Sequence, residues 1–186
     1  MVLRCFMEGE SVMVRKATTS RQGQPRQILK VSGNAAGKKA IDFKVYLKER
    51  NITYFNVEAL EDELNTTVFR SFVEIGGQQL PVVIILDDSV CGVIRIKVAG
   101  EVLRPENESA WLKKINQLNL QYKVLKYYFA EDSSLMLEGS VVHENNQLNG
   151  DSIYNLLDLM VKHLAGEHKN FMKLICQVMK TKLLNL

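Results

Sequence analysis

Three consecutive stretches of apolar residues between positions 68 and 98 constrain the fold more than any other feature of the sequence. Residues 68–75, 80–86 and 90–98 each have the length and apolar pattern of a β-strand. The first stretch is followed by Gly76-Gly77, a pair that favours a tight hairpin because glycine adopts positive φ without steric cost. The stretch 80–86 is apolar at nearly every position, so we expect it to be a central, covered strand.

Helical patterns flank these strands. Residues 39–50 and 106–118 have apolar side chains at helical spacing, and Asn51 suits the left-handed position that ends a helix. A longer helical stripe runs over residues 153–178. Gly166 lies inside this stripe, so we expect one interrupted helix or two helices in line.

Two further strands lie between the second and third helical patterns. Residues 122–129 and 135–143 alternate in polarity and are joined by an acidic turn at 131–133. The predicted order is therefore α-βββ-α-ββ-α. Strands linked by hairpins, with the helices grouped apart from them, predict an α+β fold in which helices pack on an antiparallel sheet.

The first 38 residues differ in composition from the rest of the chain. Residues 1–39 hold eight lysine and arginine side chains against two glutamates, a net charge of +6, whereas the whole chain carries +3. We expect residues 1–38 to form a basic, poorly ordered leader and residues 39–186 to form a single α+β domain. An alternative function follows from the leader, which could act as a nucleic-acid-binding arm, although no aromatic side chain after Phe6 offers a base-stacking platform there.

Several features of the chain indicate a cytoplasmic protein. Cysteine is present only at positions 5, 91 and 176, which does not suit a disulfide scaffold. The N-terminus lacks the apolar core of a signal peptide, and no apolar run approaches the ~18 residues that a membrane-spanning helix needs.

No motif in the sequence predicts a catalytic residue, a metal or a cofactor. Residues 32–39 resemble a phosphate-binding loop, but only three residues separate the glycines and Lys39 replaces the hydroxyl that would hold magnesium. His163 and Glu167 share a helical face, yet two ligands do not make a metal site, and we expect a solvated pair. An enzyme assembled from scattered residues would have to use Cys91 or His143, and Cys91 is predicted to be a buried small side chain.

Trp111, Ile115 and Leu118 form one apolar stripe on the second predicted helix. Two interpretations stay open at this point. The stripe either seals the core of a single chain or forms the interface of a homodimer, where tryptophan is favoured. We predict the homodimer, with these three residues as the subunit interface, because the longer final helix is better suited to cover the sheet.

The order of elements and the sequence of residues 111–119 carry a resemblance. These residues read Trp-Leu-Lys-Lys-Ile-Asn-Gln-Leu-Asn, and with the following strands and helix they resemble type III secretion chaperones and the YbjN-like family of bacterial proteins over residues 39–178. The resemblance implies a cytoplasmic, non-enzymatic and often dimeric module that binds protein segments or acts as a regulator. It supplies no catalytic residues. Secretion chaperones are usually acidic and this chain is slightly basic, so a YbjN-like protein fits better.

Overall fold

The computed structural model describes residues 3–5, 12–15, 37–143 and 147–184. The elements are β1 (Leu3–Cys5), β2 (Val12–Arg15), α1 (Lys38–Glu49), β3 (Asn56–Ala59), β4 (Thr67–Ile75), β5 (Gln78–Leu86), β6 (Cys91–Ala99), α2 (Glu108–Gln121), β7 (Leu125–Phe129), β8 (Leu135–Val142) and α3 (Gly150–Leu184). The predicted α+β fold is confirmed, and so is the order α-βββ-α-ββ-α for the longer elements. Strand β3 and the two strands of the leader are additional to this order.

All the strands belong to one antiparallel sheet with the order β1-β2-β4-β5-β6-β8-β7. Strand β3 pairs with β4 beside Thr67–Arg70, and β2 pairs with β4 further along, so both lie on the edge that β5 leaves free. The hairpin between β4 and β5 turns at Gly76 and Gly77, whose φ values are 57° and 78°. A tight hairpin turn needs positive φ at these two positions, and this is why glycine was expected there.

The three helices lie on one face of the sheet. The ring of Phe43 on α1 packs edge-on against Phe69 of β4, with centroids 5.0 Å apart. On α3, Leu156 approaches the backbone of β8 so closely that a Cβ at Gly139 would lie 3.1 Å from it. On α2, Trp111 packs against Phe129 of β7. One hydrophobic core therefore fills the space between this face and the helices.

Strand β5 departs from its prediction. It is central, as expected, but it is covered by helices on one face only. Val82, Ile84 and Leu86 are buried in the core, whereas Val83 and Ile85 point to the opposite side and stay partly exposed. No helix among the described residues packs on that opposite side.

Helix α3 also departs from its prediction, because it runs without interruption from Gly150 to Leu184. Glycine in a helix interior costs about 1 kcal/mol relative to alanine. Buried Leu164 and Phe171, on either side of Gly166, hold both halves of the helix on the same core. The burial of Leu164 and Phe171 on either side of Gly166 outweighs the tendency of this glycine to end the helix.

The leader lies mostly outside the described residues, so its predicted poor order stays a prediction. Of residues 1–38 the structure describes β1, β2, Gly37 and Lys38. Within the described parts of the chain, no helix combines the length and apolarity that crossing a membrane requires.

Candidate protein-binding face

The side of the sheet opposite the helices presents an apolar band, which we call the open face. Its centre lies on β5 and β6, where Val83 and Ile85 stand beside Val93. None of these three side chains packs against the core. The same face also carries Phe72, Pro81 and Met136 on β4, β5 and β8, whereas Val68 of β4, opposite Ile85, is only 4% exposed and adds no free surface. Sequence reasoning missed this surface, although the unbroken apolar run of β5 is its signal.

Two ion pairs lie on the open face, one at its edge and one within it beside Val83. Arg70 pairs with Glu58 on β3 at 3.3 Å, and Arg95 pairs with Glu138 on β8 at 2.5 Å. The hydrogen bond to Glu138 raises the pKa of Arg95, and burial raises the pKa of the neighbouring Tyr128 hydroxyl. Apolar side chains mixed with paired charges are typical of a non-obligate protein–protein interface.

The edge of the sheet at β7 is closed by one side chain of α2. The amide nitrogen of Asn119 donates to the carbonyl oxygen of Tyr127 at 3.0 Å, and its Oδ1 accepts from the Tyr127 amide at 2.7 Å. The side chain thus forms the two hydrogen bonds that a further strand would form. Strand addition at this point of β7 would have to displace Asn119.

The predicted interface residues of α2 lie inside the chain's own core. Trp111, Ile115 and Leu118 are 1%, 8% and 2% exposed. Trp111 stacks on Phe171 of α3 with centroids 6.0 Å apart and meets Phe129 of β7 edge-on. A homodimer stays a prediction, but these three side chains have no free apolar surface to contribute to one.

The structure does not bring Cys91 and His143 together. Cys91 is half-buried on the open-face side of β6, where a buried position was expected. The His143 ring lies on the helix side, with Nε2 2.8 Å from where a Cβ on Gly92 would be. Neighbouring strand residues face opposite sides of a sheet, so these two groups do not form a nucleophile–base pair.

Lys39 contacts the chain's own backbone rather than a phosphate-binding loop. It is only 1% exposed, and its ammonium donates to the carbonyl oxygen of Ser89 in the β5–β6 turn. Residues 32–36 of the loop-like segment lie outside the described residues. The lysine therefore ties the start of α1 to the sheet.

His163 and Glu167, predicted to be solvated, are enclosed beneath α2. His163 is 8% exposed, and its ring lies 4.1 Å from that of Tyr122. Glu167 pairs with Lys114 of α2 at 2.8 Å. Within the described residues, His163 Nε2 has no hydrogen-bond partner, and neither has the buried hydroxyl of Tyr127 beside it.

Because burial lowers the pKa of His163, we expect this histidine to weaken the fold in acid. Glu167 opposes this lowering and Lys114 adds to it. An unfolded histidine, with a pKa of ~6.5, takes up a proton before the folded one does, so stability is complete above that value and falls below it. Each histidine of this kind contributes a slope of at most about 1.4 kcal/mol per pH unit.

Denaturant titrations between about pH 7.5 and about pH 5.5 measure this dependence. Burial also lowers the pKa of His143, so this histidine should account for a second part of the pH dependence of stability. His163→Phe should unfold with a shallower pH dependence than the unsubstituted chain, and His143→Phe in the same background should flatten it further. An unchanged slope in His163→Phe would contradict the assignment.

Within the described residues, no three histidine, cysteine or acidic side chains are grouped so that they could hold a metal ion. No family model, curated protein or solved structure matches the chain. The resemblance to YbjN-like proteins therefore stays an expectation drawn from the sequence.

Proposed function

We propose that the chain is a non-enzymatic, cytoplasmic protein-binding module, of chaperone-like or regulatory type, that docks a protein partner on the open face of its sheet. The observation that carries this proposal is the composition of β5. A strand that is apolar at nearly every position is typical of burial on both faces. Only one face of β5 is covered by the helices, so a partner would complete the burial of Val83 and Ile85.

The charges of the open face favour protein over nucleic acid. Arg70 and Arg95 are both neutralised by carboxylates of the same face, as is Lys97 by Asp132 at 3.0 Å. Nucleic-acid surfaces need an excess of unpaired cations to neutralise phosphates. The partner is accordingly a protein surface that combines apolar side chains with charges of both signs. The alternative, a nucleic-acid-binding leader, rests on residues that lie largely outside the described ones and stays a prediction.

A photo-cross-linking experiment on the full chain tests the proposal. Benzoylphenylalanine is placed at Val83 on the open face or, as a control, at Leu120 of α2, which is 80% exposed. Ile85→Lys is then added to the Val83 probe, because a lysine stem can lie along the sheet while its charge opposes docking. Leu120→Lys, added to the same probe, is the matched control.

We expect the Val83 probe to capture a polypeptide that the Leu120 probe does not. Ile85→Lys should reduce this capture at least about tenfold, because an unpaired charge buried in an interface costs more than about 1.4 kcal/mol. Leu120→Lys should leave the capture unchanged. Circular dichroism confirms that each variant is folded. Capture of nucleic acid at Val83, or of no polypeptide specific to that position, would exclude the proposed docking face.

A further inference from the structure

We infer that the protein surface that fits the open face is the open face of a second copy of this chain, related to the first by a two-fold axis between β5 and β6. This inference rests on the proposed function and names its partner. A two-fold interface needs one self-complementary patch. The register of the strands allows that complementarity to be worked out residue by residue.

One lateral row of the open face carries the charges. Arg70 on β4 stands opposite Val83 on β5, Val83 opposite Arg95 on β6, and Arg95 opposite Glu138 on β8. The next row is apolar at its centre, with Ile85 opposite Val93. Across β4 to β8 the two ends of this row are thus opposite in sign, Arg70 on β4 and Glu138 on β8, and Lys126 of β7 lies beyond Glu138.

A rotation by 180° about an axis parallel to the strands, midway between β5 and β6, superposes β4 of one copy on β8 of the other and β5 on β6. Arg70 then faces Glu138 of the second copy, and this contact forms twice. Ile85 faces Val93, and the methyl groups of Val83 meet the methylenes of Arg95. Sheets packed face to face lie about 10 Å apart with strands inclined by about 30°, which long side chains at the outer strands can span.

Two other described surfaces, α2 and the β7 edge, are less suited to a second copy. The apolar stripe of α2 is used up in the core, and Asn119 occupies the β7 edge. The open face combines half-buried apolar side chains with charges of both signs. A face-to-face pair would also give β5 the second cover that its composition indicates.

Two charge reversals, Arg70→Glu and Glu138→Arg, distinguish the proposed face-to-face dimer from dimers of other geometry. Each variant alone places like charges in both copies of the contact, so its dimer dissociation constant should rise at least about tenfold. In a mixed pair, the glutamate introduced at position 70 of one chain faces the arginine introduced at position 138 of the other. The second contact of the pair keeps the native Arg70 and Glu138. The mixture should therefore form a heterodimer, read by native mass spectrometry with one chain isotope-labelled.

Lys113→Glu, an exposed reversal on α2, is the matched control and should remain a homodimer. A wild-type chain that stays monomeric at the concentrations used, dimers that both reversals leave intact, or a mixture that does not form a heterodimer would each overturn the inference. If the Val83 probe captures a different protein, the inference is wrong while the proposed function stands. If that probe captures no polypeptide, both are wrong.

Discussion

Replacing Trp111 by alanine is expected to lower the free energy of unfolding by about 3–5 kcal/mol. The indole is 1% exposed and lies between Phe129 of the sheet and Phe171 of α3. Its removal leaves a cavity where three elements meet, and the rings around it lose their contacts. The loss is a large fraction of the ~5–15 kcal/mol that stabilises a domain, so the denaturation midpoint followed by circular dichroism should fall markedly.

The matched control is Leu112→Ala, one residue further along α2. Leu112 is 45% exposed, so its truncation should change the free energy of unfolding by less than about 1 kcal/mol. A Trp111→Ala chain that unfolds like wild type but changes its oligomeric state would instead support the predicted interface at this stripe.

The second large effect is expected at the β4–β5 hairpin, where Gly76→Ala should cost about 2–5 kcal/mol. Two causes contribute. Alanine is strained at the φ of 57° that Gly76 adopts. Its Cβ would also lie 2.6 Å and 2.8 Å from the ring nitrogens of His168, which packs on the turn from α3. Equilibrium denaturation measures the loss.

Two further variants separate the causes. Gly77→Ala has the same kind of backbone strain, with φ 78°, but its Cβ would meet no atom within 4 Å, so it should lose only about 1–2 kcal/mol. His168→Ala in the Gly76→Ala background should recover the part due to the collision. The prediction is wrong if Gly76→Ala and Gly77→Ala are equally stable.

Features that depend on neighbouring residues were predictable from the sequence. Apolar patterns located β4, β5 and β6 to within a few residues: β4 and β6 alternate in polarity, and β5 is apolar at nearly every position. Asn51 was expected in the left-handed region after α1, and its φ is 54°. Gly76 and Gly77 likewise turn the chain with positive φ. In each case the determining interactions lie within a few residues of one another.

Features that depend on distant partners were not predictable in this way. Strand β6 pairs with β8, and β7 lies outside it at the edge, a choice made by contacts far apart in sequence. An apolar stripe such as that of Trp111 has the same sequence pattern on a helix that covers its own core and on one that packs against a second chain. Val83 and Ile85 were placed in a covered strand, because apolar content shows that a face should be buried but not what buries it.

The hydrogen bonds of Asn119 have a consequence for the size of assemblies. A face-to-face pair with two-fold symmetry is closed, since each copy uses its patch once and the growth stops. An unprotected strand edge has no such limit, because each added copy presents a fresh edge to the next, as in fibrils. By occupying the backbone of Tyr127, a single amide on α2 disfavours open-ended growth from β7 while leaving the broad face available for a finite complex.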